Sequence, residues 1–226
     1  MGESTSKGKE ERLQVAPDGI GEEARRPRRE PAVLLALGAL LLVLSGLHPH
    51  DRFTWLLEIA PILIGVPFLV GTYRRFPMTP LVYRLILVHA CILMLGGHYN
   101  YAEVPLGEWM KIVFGFTRNN YDRIGHFAQG FVPALIAREV LLGRTPLLRG
   151  GWLFFLVTCV CLAFSALYEL IEWWTSVATA DGATAFLGTQ GDPWDTQWDM
   201  LWALIGALVA QSTLARVQDR QLASLR

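Results

Sequence analysis

The sequence predicts an all-α integral membrane protein with six transmembrane helices and both termini cytoplasmic. Hydrophobic residues make up 52% of its 226 residues, and they arrive in six runs near the ~20 residues that cross a bilayer as helix. Sixteen of its lysines and arginines fall on one side of those runs and four on the other, the bias that marks cytoplasmic connections. Within lipid each segment must satisfy its own backbone hydrogen bonds, which makes helices the expected form.

Residues 1–30 are polar and charged, and close on Arg25-Arg26-Pro27-Arg28-Arg29. Such a segment buries too little apolar surface to fold, so it reads as a disordered cytoplasmic tail. It is too long and too acidic for a signal-peptide n-region, and the run after it lacks an A-x-A-like cleavage site. The transmembrane domain spans 31–216, with runs at about Pro31–Leu47, Trp55–Tyr73, Leu81–Gly97, Ile124–Leu142, Trp152–Trp174 and Trp198–Ala215. Residues 217–226 form a second cytoplasmic tail. The first run is short and the fourth is the most polar.

Two outer connections are long. Pro105–Gly115 carries apolar residues at 106, 109, 110, 113 and 114, helical spacing that fits either a short interfacial helix or part of a packed cap. Thr175–Gln197 is rich in Gly, Thr and Asp, with Gly182, Gly188 and Gly191 permitting tight backbone. Its Thr189–Thr196 stretch would touch a polar head group or close over the bundle. Trp173, Trp174, Trp194 and Trp198 sit where an aromatic belt belongs. The zero net charge gives no reason to expect nucleic acid as a partner, and Cys91, Cys159 and Cys161, all inside apolar runs, read as fillers.

The outer end also gathers acids. Asp122 and His126, Glu169 and Glu172, and Asp195 and Asp199 are spaced i,i+4, i,i+3 and i,i+4, so each pair shares a helix face. Ionisable groups close to hydrocarbon are costly and usually have a use. Asp122 and Asp195 would serve equally as helix N-caps. Glu169 and Glu172 stand near the outer, C-terminal end of the fifth run, where the dipole opposes them by ~0.3–1 kcal/mol each. Arg118 and Arg123, His126, a bound cation or protonation would offset that cost. Carboxylates with one imidazole suit Mg²⁺, Mn²⁺, Ca²⁺ or Zn²⁺, the histidine favouring Mn²⁺ or Zn²⁺. The candidate metal ligands are Asp122, His126, Glu169, Glu172 and Asp199, and the candidate catalytic groups are His126, Glu169 and Glu172. Glu58 and His89 would extend a proton path or make interhelical hydrogen bonds. His98-Tyr99-Asn100-Tyr101 would complete the site.

At Tyr121–Gly130, Tyr168–Trp174 and Phe186–Met200 the chain resembles the YjdF-like family of bacterial inner-membrane proteins over about residues 33–215. That family is defined by a domain of unknown function, so the resemblance implies a location and a fold without a reaction. More distantly the chain is similar to VanZ-like membrane proteins, connected with glycopeptide (teicoplanin) resistance. Asp122-Arg123-x-x-His126-Phe127, Glu169-x-x-Glu172 and Asp199 with Gly206 match their pattern, with Arg for Lys, Glu for Gln and Ala203 for Asn. This implies a shared helix arrangement.

Three functions remain open on the sequence. One is a cell-envelope enzyme acting on a lipid or lipid-linked substrate, with a divalent cation or acid/base groups. The second is an ion-coupled transporter or permease, and the third is a non-catalytic membrane sensor or assembly protein.

Overall fold

A computed structural model describes residues 29–179 and 189–225. The tail expected over 1–30 falls almost wholly outside the described residues, as do Asp181, Gly182 and Gly188. Among the described residues the regular structure is helical: α1 (Arg29–Ser45), α2 (Arg52–Thr72), α3 (Pro80–Tyr99), a 3₁₀ turn (Tyr101–Glu103), α4 (Pro105–Phe114), α5 (Tyr121–Arg144), α6 (Gly151–Thr179) and α7 (Asp195–Ala223).

Local chemistry explains the starts and stops. Asp51 caps α2 by accepting from the Thr54 N–H at 2.6 Å. Thr79 caps α3, and Pro80 and Pro105 open α3 and α4, where a missing N–H costs nothing. Gly115 ends α4 in the left-handed region at φ 69°. The segment expected at Pro105–Gly115 is therefore helical, and its outward face carries Trp109, Ile112, Val113 and Phe114, all exposed.

Among the described residues four helices, α2, α3, α6 and α7, are long and apolar enough to cross a membrane. The other two of the six expected spans differ for identifiable reasons. α1 has only 17 residues. α5 is the central helix, packed on α3, α6 and α7, so its polar side chains face protein. Asp122, His126, Arg138 and Glu139 are all buried along it.

The tightest crossing is between α5 and α7. A Cβ on Gly130 would run into the Ala203 backbone, and one on Gly206 into the Phe127 carbonyl. Ala203, Ala207 and Ala210 are fully buried along the same seam. Small residues let two backbones approach and gain dispersion contacts, which drive helix association in lipid. Val82, Leu135, Val157 and Cys161 fill the layer beside them.

At the end away from the acidic cluster, a second polar group locks the bundle. Glu139 accepts from the Thr79 N–H at 3.1 Å, from the Thr79 hydroxyl, and from Gln218 Nε2 at 3.0 Å. Gln218 also donates to the Leu135 carbonyl at 2.7 Å and accepts from Arg138 at 3.0 Å. Asp219 then pairs with Arg138 and Arg149, each at 2.9 Å. Residues 217–223, expected as the start of a tail, continue α7 because Gln218 and Leu222 are buried in this clamp and beside it.

Two further expectations change. α6 runs on to Thr179, leaving Glu172 nearly two turns inside the helix. The dipole acts only within the last turn, so the cost of Glu169 and Glu172 is desolvation. Asp122 and Asp195 do not cap either: Asn120 and Trp194 hold the N-cap positions, and both acids lie inside the first turn.

Candidate functional site

The acids of the cluster separate into two groups with different chemistry. The first is a rim of ion pairs. Arg118 pairs with Asp195 and, at 3.5 Å, with Asp192. Arg123 reaches Asp192 at 3.6 Å while its guanidinium lies 5.3 Å from the centre of the Trp198 ring. Next to this rim Gln190 exchanges two hydrogen bonds with the Asn119 backbone, at 3.0 and 2.9 Å. The 189–194 segment thus closes over the bundle, and the two arginines are turned to the aspartates of that segment and of α7 rather than to the glutamates.

The second group is a buried nest around His126, which is 6% exposed. Its Nδ1 contacts Gln129 Oε1 at 2.9 Å. With Nδ1 as donor, Nε2 is left as the lone pair, and it faces Asp122 at 3.4 Å and Asp199 at 3.9 Å. Glu169 Oε1 lies 3.7 Å from Nδ1. Glu172 is buried, with Glu169, His126 and Asp122 as its strongest charged neighbours. One donor atom each from Asp122, His126 and Asp199 falls within 4.8 Å of the others. Three lone-pair donors converging in a buried space repel unless a cation or a proton lies among them.

Glu58 joins this nest from α2. It is 5% exposed and accepts from the Tyr168 hydroxyl at 3.4 Å, and the Tyr168 ring stands edge-on to His126 at 6.3 Å. Five carboxyl groups therefore surround one imidazole. Among the described residues, several polar atoms here and one turn deeper have no hydrogen-bond partner: Glu169 Oε1, Asp199 Oδ1, Ser165 Oγ and Trp202 Nε1. Buried polar atoms are almost always paired, and this grouping of orphans beside the converging donors makes the nest the candidate site. Glu139 of the clamp, more buried still, has hydrogen bonds to both of its carboxylate oxygens.

Residues 30–220 match the family described as "Predicted membrane protein (DUF2238)". The chain belongs to this family. It is 54% identical over 184 residues to the inner membrane protein YjdF of Escherichia coli (strain K12), an alignment covering 81% of this chain and 88% of that protein. No solved structure matches. As a member of DUF2238 with helices able to span the bilayer, the chain is a multi-pass inner-membrane protein. The family match takes in every residue of the nest.

The side chains expected as ligands or acid/base groups, Asp122, His126, Glu169, Glu172 and Asp199, all come together. Asp192 and Asp195 go to the rim. The His98–Tyr101 stretch divides. His98 Nδ1 bonds the Ser45 carbonyl at 2.8 Å and Asn100 bonds His50 at 2.8 Å, which ties down the α1–α2 loop. Tyr101 is packed on Tyr121, away from that loop. Gln129, Ser165 and Trp202 were missed. Each lies three or four residues from a named member on the same helix face, a spacing that would have found them.

Proposed function

We propose that this protein is a divalent-cation-dependent membrane enzyme acting on an ester or phosphoester of a lipid or lipid-linked substrate at the outer face of the inner membrane. The proposal places six helices across the bilayer, with both termini cytoplasmic and the nest facing outward. The basic residues of the connections support that orientation. So does α4, whose exposed apolar face suits the headgroup boundary beside the nest.

The observation that carries the reading is the buried convergence of Asp122, His126 Nε2 and Asp199 with unpartnered carboxylate oxygens. A ligand histidine usually has its other ring nitrogen held by a hydrogen bond, the role Gln129 plays here. Two carboxylates and one imidazole suit Mn²⁺ or Zn²⁺. Such an ion would lower the pKa of bound water and polarise the substrate's oxygen. Glu169 and Glu172, beside the triad, are placed to take and return the proton. Tyr168 and Glu58 would buffer charge behind them. The three elements of the VanZ-like pattern fall on this one nest, which favours a site over three separate helix signatures. Transport is the weaker reading, because Leu135, Val157, Cys161 and Ala207 pack the layer between nest and clamp.

The test is metal analysis of detergent-purified protein after exposure to Mn²⁺ or Zn²⁺ and desalting. About one equivalent is expected in the wild type and in Glu172→Gln, and little in Asp199→Asn or His126→Ala. In cells, Glu172→Gln and His126→Ala should both abolish function while the protein still inserts and folds. A wild type that binds no metal, or full cellular function in both variants, overturns the proposal.

A further inference from the structure

A second feature lies on the other side of the molecule, among α1, α2 and α3. α1 buries none of its own residues and leans on α3. Near the nest end α1 and α2 are fastened together. Trp55 Nε1 donates to Ser45 Oγ at 3.2 Å, and its indole fills the space above Gly46. Below that fastening side chains do not fill the space between the two helices. It is a groove of about 620 Å³, walled by Leu35 and Leu42 of α1, Ile62 and Val66 of α2, and Leu87 and Met94 of α3. Leu63 and Val70, on the same walls, are about half exposed, so the groove opens sideways towards lipid.

Its far end has a different character. Tyr73, Tyr83 and Arg74 line it there, with Arg75 adjacent in sequence and Arg84 in the second turn of α3. Glu30 of α1 stands near these arginines and is engaged in an ion pair with Arg84. The groove is thus apolar along its length and positive at its mouth.

We infer that this groove is a binding site for one anionic phospholipid of the leaflet on the Arg74 side. One acyl chain lies between α1 and α2, and the phosphate is held at the Arg74 guanidinium. The volume falls within the ~300–1,000 Å³ of sites that enclose small ligands. Water is a poor occupant, since a water needs two to four polar partners and these walls offer almost none. A second protein helix would fill the walls but would leave the positive mouth unmatched, whereas a guanidinium is the side chain best shaped to hold a phosphate. Basic residues at the cytoplasmic boundary also draw anionic lipid in general. The inference stands apart from the nest, which lies at the opposite end of α2 and α3.

The experiment is native mass spectrometry of the full chain in detergent, titrated with phosphatidylglycerol or with phosphatidylcholine of the same chains. The wild type should retain one phosphatidylglycerol under conditions that strip phosphatidylcholine. Arg74→Ala should lose that preference by about tenfold or more, and Arg74→Lys should keep part of it. Ala39→Trp, which fills the groove from an exposed position on α1, should lose both lipids while α5–α7 stay folded and the metal-binding result is unchanged. Equal retention of the two lipids by the wild type overturns the inference. Wild-type retention in Ala39→Trp, or a lipid-free dimer, does so as well.

Discussion

Two buried glutamates on neighbouring helices should respond to substitution in opposite ways. Glu139 in the clamp accepts three hydrogen bonds, from the Thr79 N–H, the Thr79 hydroxyl and Gln218 Nε2. Replacing it by leucine orphans the Thr79 N–H and hydroxyl at a site that is fully buried. Gln218 keeps its bond to the Leu135 carbonyl and so loses less. At ~1–3 kcal/mol for each orphaned group, Glu139→Leu should cost about 3 kcal/mol. For a chain of this size that is a fall in Tm of roughly 6–12 °C. Glu169 differs: its Oε1 has no hydrogen bond among the described residues, its side chain is bonded by Thr196, and its charged neighbours are His126, Asp122 and Asp195. Glu169→Gln removes one charge from a crowded buried nest and breaks no hydrogen bond to Oε1, so stability should hold or rise by up to about 1 kcal/mol. Function should fall all the same. The assay is thermal unfolding of both variants in one detergent, alongside cellular function. A Glu139→Leu protein within about 0.5 kcal/mol of wild type, or a Glu169→Gln protein as damaged as Glu139→Leu is expected to be, would refute the distinction between clamp and site.

Three other outcomes follow from the same structure. Gly206→Ala should lower stability by about 2 kcal/mol, because its Cβ meets the Phe127 carbonyl and neither backbone can yield; Gly65→Ala, with nothing near its Cβ, should be neutral or stabilising by up to about 1 kcal/mol in the same melt. Arg118→Ala should strip buried Asp195 of its partner and loosen the adjoining 189–194 segment, read as faster hydrogen exchange at Asn119, whose N–H is bonded to Gln190. Asp51→Ala should cost about 1 kcal/mol at neutral pH as a lost N-cap. The Thr54 N–H holds the Asp51 carboxyl below its usual range, so that stabilisation is present above the unfolded value near 4 and fades as pH falls through the lower folded value. The gap between wild type and variant should therefore close in acid.

What could be read in advance was whatever depends on neighbours along the chain. The apolar runs located the long helices, Pro105 and Gly115 bracketed α4, and i,i+4 spacing put Asp122 and His126 on one face. Longer-range facts left weaker traces. Glu58 and Tyr168 are 110 residues apart, and neither carries a local sign of the other. Glu139 and Gln218, 79 residues apart, likewise carry no local sign of the bond between them. The glutamates of α6 read differently in the structure for a related reason: polar Thr175, Ser176 and Thr179 look like a connection, yet they continue the helix, which accommodates the hydroxyls of Thr175 and Thr179 on the carbonyls of Ile171 and Thr175, each at 2.8 Å. That extension removes the helix end as the source of their cost and leaves burial as the source. Burial alone does not single out a site, since Glu139 is more buried than Glu169. The difference is satisfaction. Three donors reach Glu139, whereas two of the nest's acceptors, Glu169 Oε1 and Asp199 Oδ1, have no hydrogen bond among the described residues. A chain that pairs the clamp acid so completely has the means to pair the acids of the nest too, with two arginines close by. It directs those arginines to Asp192 and Asp195 instead, and the acceptors left over are what supports the ligand site proposed at the nest.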